Sequence, residues 1–534
     1  MGKEQGILKN KIYLYLTEFF AGMSVMAVEL GASRLLAPYF SSSQIVWTII
    51  IGTIMIAMAL GNVWGGRSAD KNPNPDKLYG RLLLAAIWIA AIPVFGKYII
   101  VAVSGLLIIT VSNRFLIIAA FISCMVIFVF PLFLLGTVTP SLAKYAVGNL
   151  DESGKTIGTL GAFNTIGSII GTFVPTFISI PAVGTSVTFL IFAAILLALG
   201  LIYFISEKRK SAKAAVSVLL VFLCCIFGHS TSFAFWEQDL TYEGESIYNY
   251  LQVRDTARST ILSTNVLFGV QSVAMKGDSL TGLYYDYALA APYMVKETEG
   301  LDILILGMGT GTYAGQCCRY LDGAKVGGVE IDSKITALAY KYFSLPEEVE
   351  VSTYDGRAYL QAVQDKYDVI MVDAYQDITI PFQMSTTEFF SLVREHLKED
   401  GVMVVNMNMH SSEHLEEDIN TYLADTISQV FPEVYVVDVP FCTNRELFAS
   451  MNPAMVENLE VNADSLENEE LKELMKEIRS GLTAYAAGKN ILTDDKAPVE
   501  LLGMQMIDSI IKDEIVHYKN IFKEQGLAGL LNSL

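Results

Sequence analysis

The sequence predicts a multi-pass α-helical membrane domain, followed by a small β domain and an α/β Rossmann-like domain. The first observation is a division of charge: residues 1–229 carry 16 Lys and Arg against 8 Asp and Glu, whereas residues 230–534 carry 21 against 48. The second is that long apolar stretches fill the first part, in a chain that is 52% hydrophobic and only 17% charged. The third is that short apolar runs alternate with helical segments after Leu301.

Residues 1–229 contain seven apolar stretches that are candidates for membrane-spanning helices, since one crossing takes about 20 residues. They are Ile12–Leu36, Ile45–Trp64, Leu82–Val103, Phe115–Val138, Ile157–Ile178, Val187–Ile205 and Ala214–Gly228. The last is the shortest, and it is open whether it crosses or is only re-entrant. The first span contains Glu18 and Glu29, and an ionisable group inside a membrane is a candidate for function. The alternative is that these carboxylates pair with a basic residue such as Arg34.

Positive charge is concentrated at the N-terminus and in the second, fourth and sixth loops between these stretches. The residues concerned are Lys3, Lys9, Lys11, Arg67, Lys71, Lys77, Arg81, Lys144, Lys155, Lys208, Arg209, Lys210 and Lys213. Because cytoplasmic loops carry the excess of Lys and Arg, we expect a protein of the plasma (inner) membrane with a cytoplasmic N-terminus. Seven spans then place the acidic half outside, which the charge count favours. A re-entrant last segment keeps it inside, and the sequence leaves both open.

The acidic half carries a net charge of −27. This charge excludes nucleic acid as a partner, because phosphate contacts need a basic surface. It can attract a cationic substrate, although acidity also serves simply to keep a domain soluble. The six cysteines form no CxxC pair and no His stands at zinc-ligand spacing, so no metal site is expected.

Two folding units are predicted after the membrane half. Residues 230–300 form the small β domain, and residues 301–534 form the α/β domain with a C-terminal helical extension. The strands expected in the β domain are Leu251–Val253, Ser259–Ser263 and Val270–Met275. Those of the α/β domain are Leu301–Leu306, Lys325–Ile331, Glu348–Ser352, Tyr367–Val372 and Gly401–Asn406, and Glu467–Arg479 is expected to form an amphipathic helix. Strands that alternate with helices imply a mainly parallel sheet.

A glycine-rich loop follows the first strand of the α/β domain and opens a helix. Its glycines, Gly307, Gly309 and Gly311, let the backbone approach a ligand closely. Glu330 ends the next strand about 20 residues later, a spacing that suits a carboxylate accepting hydrogen bonds from ribose hydroxyls. The dinucleotide pattern would have Gly where this chain has Thr312, which favours an adenosyl cofactor over NAD.

Several motifs resemble the spermidine synthase (aminopropyltransferase) family in order and spacing. In the α/β domain they are Gly307–Thr312, Val329–Asp332, Tyr354–Arg357, Val372–Tyr375 and Leu397–Val402. Upstream, Glu245–Tyr250, Gly269–Gln271 and Tyr284–Asp286 resemble the family's small N-terminal β domain. Glu29–Arg34, Gly65–Asp70 and Leu492–Pro498 resemble the membrane-fused branch of that family.

The resemblance implies decarboxylated S-adenosylmethionine or S-adenosylmethionine as co-substrate, a small cationic amine as acceptor, and no metal. It assigns Gly307, Gly309, Gly311, Glu330, Asp355 and Gly356 to the cofactor, with Glu330 on the ribose and Asp355 and Gly356 facing the adenine. Asp373 would be the general base, or the carboxylate that orients the amine. Gln271, Tyr284, Tyr285 and Asp377 would bind substrate.

Three departures from the family pattern concern the groups that handle the amine. Thr310 stands where synthases carry an Asp that binds the cofactor's amino end, Tyr285 replaces a His or Gln, and the second acid after Asp373 is displaced by one, to Asp377. We therefore predict a membrane-anchored enzyme of aminopropyltransferase type in a lipid bilayer, with a homodimer as a further expectation. A methyltransferase or cyclising enzyme on the same scaffold, and a non-catalytic polyamine or nucleoside sensor or transporter, are the open alternatives.

Overall fold

The structure is a computed structural model that describes residues 7–110, 114–147, 153–208, 212–230, 232–237, 240–266, 270–277, 280–374, 380–408 and 418–506, with a few further positions between 516 and 524. The first half is helical. Its helices are α1 (Lys11–Phe40), α2 (Gln44–Lys71), α3 (Pro75–Thr110), α4 (Phe115–Gly136), α5 (Val138–Ala146), α6 (Ser153–Val174), α7 (Ile180–Ser206) and α8 (Ala212–Phe227). The seven predicted apolar stretches lie largely on these helices, and Ile157–Ile178 continues from α6 into a short π-helix, Pro175–Ser179.

Five helical stretches of the described chain are long and apolar enough to cross a membrane. They are Lys11–Phe40, Gln44–Lys71, Pro75–Leu107, Phe115–Ala146 and Ser153–Ser206, and Ala212–Phe227 is a shorter apolar helix. The multi-pass helical layout predicted from the sequence is therefore present.

Helix α6 runs parallel to α1. Glu18 of α1 accepts hydrogen bonds through Oε1 from Thr139 (2.6 Å) and from Asn164 of α6 (2.8 Å). Further along both helices, a Cβ atom at Gly171 would collide with the backbone of Met23, so the small residue lets the two helices touch. The hydrogen-bond partners of Glu18 are thus neutral, and the alternative, a pairing of this carboxylate with a basic residue such as Arg34, is not found among the described residues.

Helix α7 runs antiparallel to α1, whereas α6 runs parallel to it. The longest apolar stretch, Ser153–Ser206, therefore consists of two segments, or arms, that run in opposite directions. Tyr13, near the start of α1, donates a hydrogen bond to the carbonyl of Leu199 (2.7 Å), whereas Gly31, near its end, packs on the ring of Phe189. The reversal is at Gly184, inside α7, and the φ of 79° at this residue lies in the left-handed region that favours glycine. The two spans predicted for this region are separate helices.

Helix α8 extends along the first half of α3. It begins after Glu207, which contacts the backbone of Ile7 at the N-terminal end of the bundle. It ends at Phe227, and the next residue, Gly228, packs on Pro93, 18 residues into α3 and therefore about 27 Å along it. A re-entrant path would return to the end where it began, whereas α8 continues in one direction along α3.

The other end of the bundle contacts the second half of the chain. The backbone N–H of Val266 donates to the carbonyl of Pro38 (2.9 Å), and that of Gln44 donates to the carboxylate of Glu500 (2.7 Å). Pro38 and Gln44 lie at the end of α1 and the start of α2, remote from Lys11, where α1 begins. The second half therefore sits at the end of the bundle opposite the N-terminus and the predicted basic loops.

A four-stranded antiparallel sheet follows the bundle. Its strands β1 (Leu240–Glu245), β2 (Tyr250–Asp255), β3 (Ser259–Ser263) and β4 (Ser272–Met275) pair in sequence order. The last three correspond to the predicted strands. The sequence reading missed β1, because its composition, Leu-Thr-Tyr-Glu-Gly-Glu, includes residues that are depleted in strands. Two short helices, α9 (Tyr284–Ala288) and α10 (Ala290–Tyr293), then lead to the large sheet.

The large sheet has eight strands in the order β12-β10-β11-β9-β8-β5-β6-β7. They are β5 (Asp302–Leu306), β6 (Lys325–Val329), β7 (Glu350–Ser352), β8 (Tyr367–Val372), β9 (Leu397–Met407), β10 (Glu433–Asp438), β11 (Arg445–Ser450) and β12 (Thr483–Ala484). The five strands predicted from the sequence are β5 to β9, and they pair in parallel, as expected. The three antiparallel strands at one edge were not predicted.

Helices cover both faces of this sheet, as in a doubly wound fold. They are α11 (Thr312–Tyr320), α12 (Ser333–Tyr342), α13 (Gly356–Ala362), α14 (Thr387–His396), α15 (Ile419–Ser428), α16 (Met455–Asp464) and α17 (Glu469–Gly481). The predicted amphipathic helix is α17, which buries Leu471, Met475 and Ile478 in the core on one face of the sheet.

Candidate functional site

A cleft of about 230 Å³ lies at the carboxyl ends of β5, β6 and β8, where a parallel sheet places its ligand. Its other side is closed by Tyr248, Asn249, Thr264, Gln271, Ser272 and Tyr285. It is lined by Tyr248, Asn249, Thr264, Gln271, Ser272, Tyr285, Gly307, Met308, Gly309, Val329, Glu330, Ile331, Ile335, Tyr354, Asp355, Gly356, Asp373, Ala374, Pro381, Gln383 and Met384. Eight of the predicted site residues are in this lining. Gly311 and Tyr284 lie outside it, and Asp377 lies outside the described residues.

The glycine loop after β5 adopts backbone angles that favour glycine. The φ angles of Gly307, Gly309 and Gly311 are 82°, 57° and 80°. A Cβ atom at Gly307 would lie 2.5 Å from the Cα atom of Ala374, so this turn must pass close to the end of β8. Gly311 instead packs against Leu345 and precedes the first residue of α11. Gly307 and Gly309 therefore shape the cleft, and Gly311 supports the helix behind it.

Glu330 follows β6 and is held in place by the backbone. Its Oε2 accepts from the N–H of Gly309 and its Oε1 from the N–H of Asp332, both at 2.9 Å. Burial raises the pKa of Glu330 to about 7, although the two N–H donors favour the ionised form. Each carboxylate oxygen keeps a second lone pair, so this group can still accept hydrogen bonds from a ligand.

Asp355 and Gly356 form the wall of the cleft next to Glu330. Asp355 is the N-cap of α13, and its Oδ1 accepts from the N–H of Ala358 (2.9 Å). A Cβ atom at Gly356 would lie 3.0 Å from the Cε atom of Met384, which also lines the cleft. The wall is therefore a helix N-terminus with little room for a larger side chain.

Asp373 lies at the end of β8, and both of its carboxylate oxygens accept hydrogen bonds. Asn406 Nδ2 donates to Oδ1 (2.8 Å) and the hydroxyl of Tyr284 donates to Oδ2 (2.7 Å). Burial raises the pKa of Asp373 to about 7, and the two donors act in the opposite direction. The arrangement fixes the carboxylate in orientation and leaves it able to take up a proton near neutral pH.

Tyr284 and Tyr285, which were both predicted to bind substrate, occupy different positions at the site. Their ring centroids are 4.0 Å apart, with Tyr285 in the cleft lining and Tyr284 against Asp373. The Tyr285 hydroxyl approaches the carbonyl of Gln271 at 3.4 Å. Burial raises the pKa of both phenols, and the Asp373 carboxylate adds to the effect. Both tyrosines are therefore neutral, and Tyr284 serves as a hydrogen-bond donor to Asp373.

The sequence reading missed a polar group behind Asp373. Asn406 of β9 accepts from Asn444 (2.8 Å), and Glu446 of β11 pairs with Asn406 in the strand ladder. Glu446 is fully buried, and neither of its carboxylate oxygens has a hydrogen-bond partner among the described residues. Burial raises its pKa well above the usual range, and Asp373 raises it further. The only signal in the sequence was a charged residue inside the apolar strand Arg445–Ser450.

Metal binding depends on how possible ligands are placed in the described part of the chain. No group of three or more His, Cys, Asp or Glu side chains is placed there to hold an ion.

Comparison with known proteins decides the family. A family model, described as the spermine/spermidine synthase domain, matches residues 283–458. A probable polyamine aminopropyl transferase of Bifidobacterium longum is 53% identical over 351 residues, which cover 62% of this chain and 78% of that protein. The chain belongs to the polyamine aminopropyltransferase family. This confirms the family that the motifs resemble.

More distant members of the family match shorter parts of the chain. The polyamine aminopropyltransferase of a Hydrogenobaculum species is 28% identical over 211 residues, or 38% of this chain and 71% of that protein. Among solved structures, a probable spermidine synthase from Corynebacterium glutamicum is 18% identical, with a TM-score of 0.36, and the match covers 46% of this chain and 96% of that one. The spermidine synthase from Thermotoga maritima is 20% identical, with a TM-score of 0.35 over 45% of this chain and 88% of that one.

Proposed function

We propose that this aminopropyltransferase transfers the aminopropyl group of decarboxylated S-adenosylmethionine to a small cationic amine. The observation that carries the proposal is Asp373, a carboxylate in the cleft lining that is held by Asn406 and Tyr284 and has a pKa raised to about 7. Family membership supports the type of reaction.

The nucleoside part of the co-substrate would occupy the cleft between the glycine loop and α13. Glu330 would accept hydrogen bonds from the ribose hydroxyls through its free lone pairs, and Asp355 and Gly356 would face the adenine. The positive φ of Gly307 and Gly309 lets the backbone pass close to the nucleoside without a side chain in the way. The donor set thus fits an adenosyl group, with S-adenosylmethionine as the alternative ligand.

Asp373 would act on the acceptor amine. An amine is protonated at neutral pH, and only its deprotonated form is a nucleophile. Asp373 takes this proton, the amine nitrogen forms a bond to the aminopropyl carbon, and the bond from that carbon to the sulfonium sulfur breaks. Methylthioadenosine leaves with the electron pair of that bond. A base with a pKa near 7 is matched to this task, and Gln271 and Tyr285 would line the path of the transferred group.

A methyltransferase or cyclising enzyme is the second candidate, because of Thr310. Thr310 stands where synthases carry an Asp for the cofactor's amino end. Its hydroxyl is buried, with no hydrogen-bond partner among the described residues. A neutral group there lowers the preference for an aminopropyl tail. For the sensor or transporter alternative, the hydrogen-bond partners of Glu18 among the described residues are Thr139 and Asn164, which both lie within the bundle.

We further propose that the chain is a multi-pass membrane protein whose catalytic half faces outside, divided into residues 1–229, 230–300 and 301–534. The basic loops mark the cytoplasmic end, and the catalytic half contacts the opposite end of the bundle. A topology probe tests this: Val461→Cys places a thiol on an exposed position of the catalytic half, in a background with Cys225→Ser. Labelling by an impermeant maleimide on intact cells supports the outside position. Protection until lysis, with labelling of Asn72→Cys on intact cells, contradicts it.

Product analysis on the purified full-length protein tests the reaction. The protein is given decarboxylated S-adenosylmethionine or S-adenosylmethionine with a mixture of amines. Amine-dependent release of methylthioadenosine from the decarboxylated form establishes aminopropyl transfer, and release of S-adenosylhomocysteine from S-adenosylmethionine establishes methyl transfer instead. Nucleoside binding without either product favours the sensor or transporter. Asp373→Asn should abolish turnover and leave nucleoside binding unchanged. The mass of the detergent-solubilised particle tests the expected homodimer.

A further inference from the structure

The membrane bundle contacts the turn between β1 and β2 through a buried carboxylate. Glu245, the last residue of β1, is 6% exposed and reaches into the start of the second arm of the bent helix α7. There the backbone N–H of Thr185 donates to Oε2 (2.7 Å) and the hydroxyl of Thr185 donates to Oε1 (2.5 Å). Gly184 breaks the helix just before this point, so Thr185 presents an N–H that no preceding turn satisfies. Glu245 therefore caps a helix of the bundle.

A second residue of the bundle supports the same turn. Arg34, near the end of α1, donates a hydrogen bond to the carbonyl of Ile247. Its guanidinium also lies close enough to the carboxylates of Glu245 and Asp332 to interact with both. Lys334 of α12 donates to the carbonyl of Glu245 from the other side (2.6 Å). The turn is thus held between two membrane helices and the α/β domain.

The turn also contacts Asp332, and through Asp332 it supports Glu330 after β6. Ser246 donates to Asp332 Oδ2 (2.5 Å), and Asn249 donates to the same oxygen (3.2 Å). The backbone N–H of Asp332 then donates to Glu330 Oε1. Asp332 is 1% exposed, so these bonds are not exchanged with water. A continuous series of short polar contacts runs from the bundle to the carboxylate that faces the cleft.

The bundle also forms part of the wall beside the cleft. A small cavity is lined by Arg34, Ala37 and Ser42 of the bundle and shares Tyr248, Asn249 and Thr264 with the main cleft. Tyr248, Asn249 and Thr264 therefore lie between these residues of the membrane bundle and the cleft.

We propose that Thr185 and Arg34 of the membrane bundle are positioning residues for the nucleoside site, acting on Glu330 through the turn at 245–249. This inference rests on the proposed function for the identity of the nucleoside. It assigns the membrane half a part in building the active site, in addition to any anchoring. Because neither residue contacts the reacting atoms, losing one of them weakens nucleoside binding and leaves the chemical step intact.

The test compares Thr185→Val with the wild type in the full-length protein. Valine keeps the shape and removes one of the two hydrogen bonds to Glu245, which leaves a buried carboxylate oxygen unpaired. We expect the dissociation constant of methylthioadenosine and the KM for decarboxylated S-adenosylmethionine to rise about tenfold. The kcat at saturating nucleoside and the KM for the amine stay within about twofold. Thr185→Ser restores the hydroxyl and should restore binding.

A matched control removes a different contact between the two halves. Glu500→Ala deletes the hydrogen bond from the backbone of Gln44, which does not lead to the cleft. It should leave nucleoside binding unchanged. If Thr185→Val lowers the melting temperature strongly, Arg34→Gln provides a second variant with the same expected change in KM.

The outcomes separate the two proposals. A wild type that binds methylthioadenosine but transfers no aminopropyl group defeats the proposed function, while the binding comparison still tests the inference. Unchanged nucleoside affinity in Thr185→Val and Arg34→Gln overturns the inference. An equal loss in Glu500→Ala also overturns it, because the effect would then be general to the junction. A wild type that binds no nucleoside overturns both.

Discussion

Replacing the proposed catalytic base should make the substrate-free protein more stable. Asp373 has a pKa raised from 3.8 to about 7, because it is buried between β8 and Tyr284 and its two hydrogen bonds do not compensate for the lost water. Asparagine at this position cannot ionise. Its amide oxygen can accept from Asn406, and its amide nitrogen can donate to the hydroxyl of Tyr284. The packing is preserved while the buried charge is removed.

The magnitude follows from the pKa. A shift of about three units at about 1.36 kcal/mol per unit amounts to about 4 kcal/mol. Asp373 is partly exposed to the cleft, so water screens some of this, and we expect Asp373→Asn to gain about 2–4 kcal/mol. The pKa of Asp373 is higher in the folded state than in the unfolded state, so ionisation of this carboxylate destabilises the folded protein. Stability is lost as pH rises from about 4 to about 7, so the gain is complete above pH 7 and disappears at pH 4.

The assay is thermal unfolding of the purified full-length protein in detergent, followed at pH 8 and at pH 4. At pH 8 the transition of the catalytic half should move up by roughly 5 °C or more in Asp373→Asn, with turnover abolished. Asp355→Asn is the control, since asparagine is an equally good N-cap, and it should leave the transition in place. An Asp373→Asn transition at or below that of wild type at pH 8 would refute the reasoning. So would a gain of the same size at pH 4.

Three further predictions concern the same site. In wild type, log kcat/KM should fall by one unit per pH unit below about pH 7, because protonated Asp373 cannot take up the amine's proton; a profile that is flat down to pH 5 contradicts its role. Glu446→Gln should lose less stability than wild type as pH rises from 5 to 8, because a fully buried carboxyl with no hydrogen-bond partner among the described residues is costly to ionise. Thermal unfolding across that range checks this, and equal slopes for the two proteins would contradict it. Gly307→Ala should lower the free energy of unfolding by more than about 2 kcal/mol and abolish nucleoside binding, because the new Cβ atom would meet backbone at 2.5 Å and the φ angle is 82°. Gly277→Ala, where a Cβ atom would meet open space, is the control. It should change neither stability nor binding in the same denaturation and binding assays.

Tertiary structure was needed to see what surrounds each predicted residue. The strand-loop-helix pattern around Gly307 and the position of Glu330 are local features, so they could be read from spacing alone. The hydrogen bonds of Asp373 come from Asn406 and Tyr284, which are 33 and 89 residues away in sequence. Partners at such separations follow from sheet order and helix docking, which no local pattern encodes.

The sequence by itself determined the apolar helices, the five parallel strands, the family and most of the residues that line the cleft, because hydrophobic period, strand-end position and motif spacing are properties of short segments. Only the tertiary structure showed how these helices pack, with α6 parallel and α7 antiparallel to α1, and with α8 lying along α3. It alone placed Glu446 behind the proposed base and Thr185 against Glu245. The physical reason is that the burial of a side chain and its hydrogen-bond partners depend on which distant parts of the chain pack together. Burial and hydrogen bonding in turn set the pKa of Asp373 and the position of Glu330.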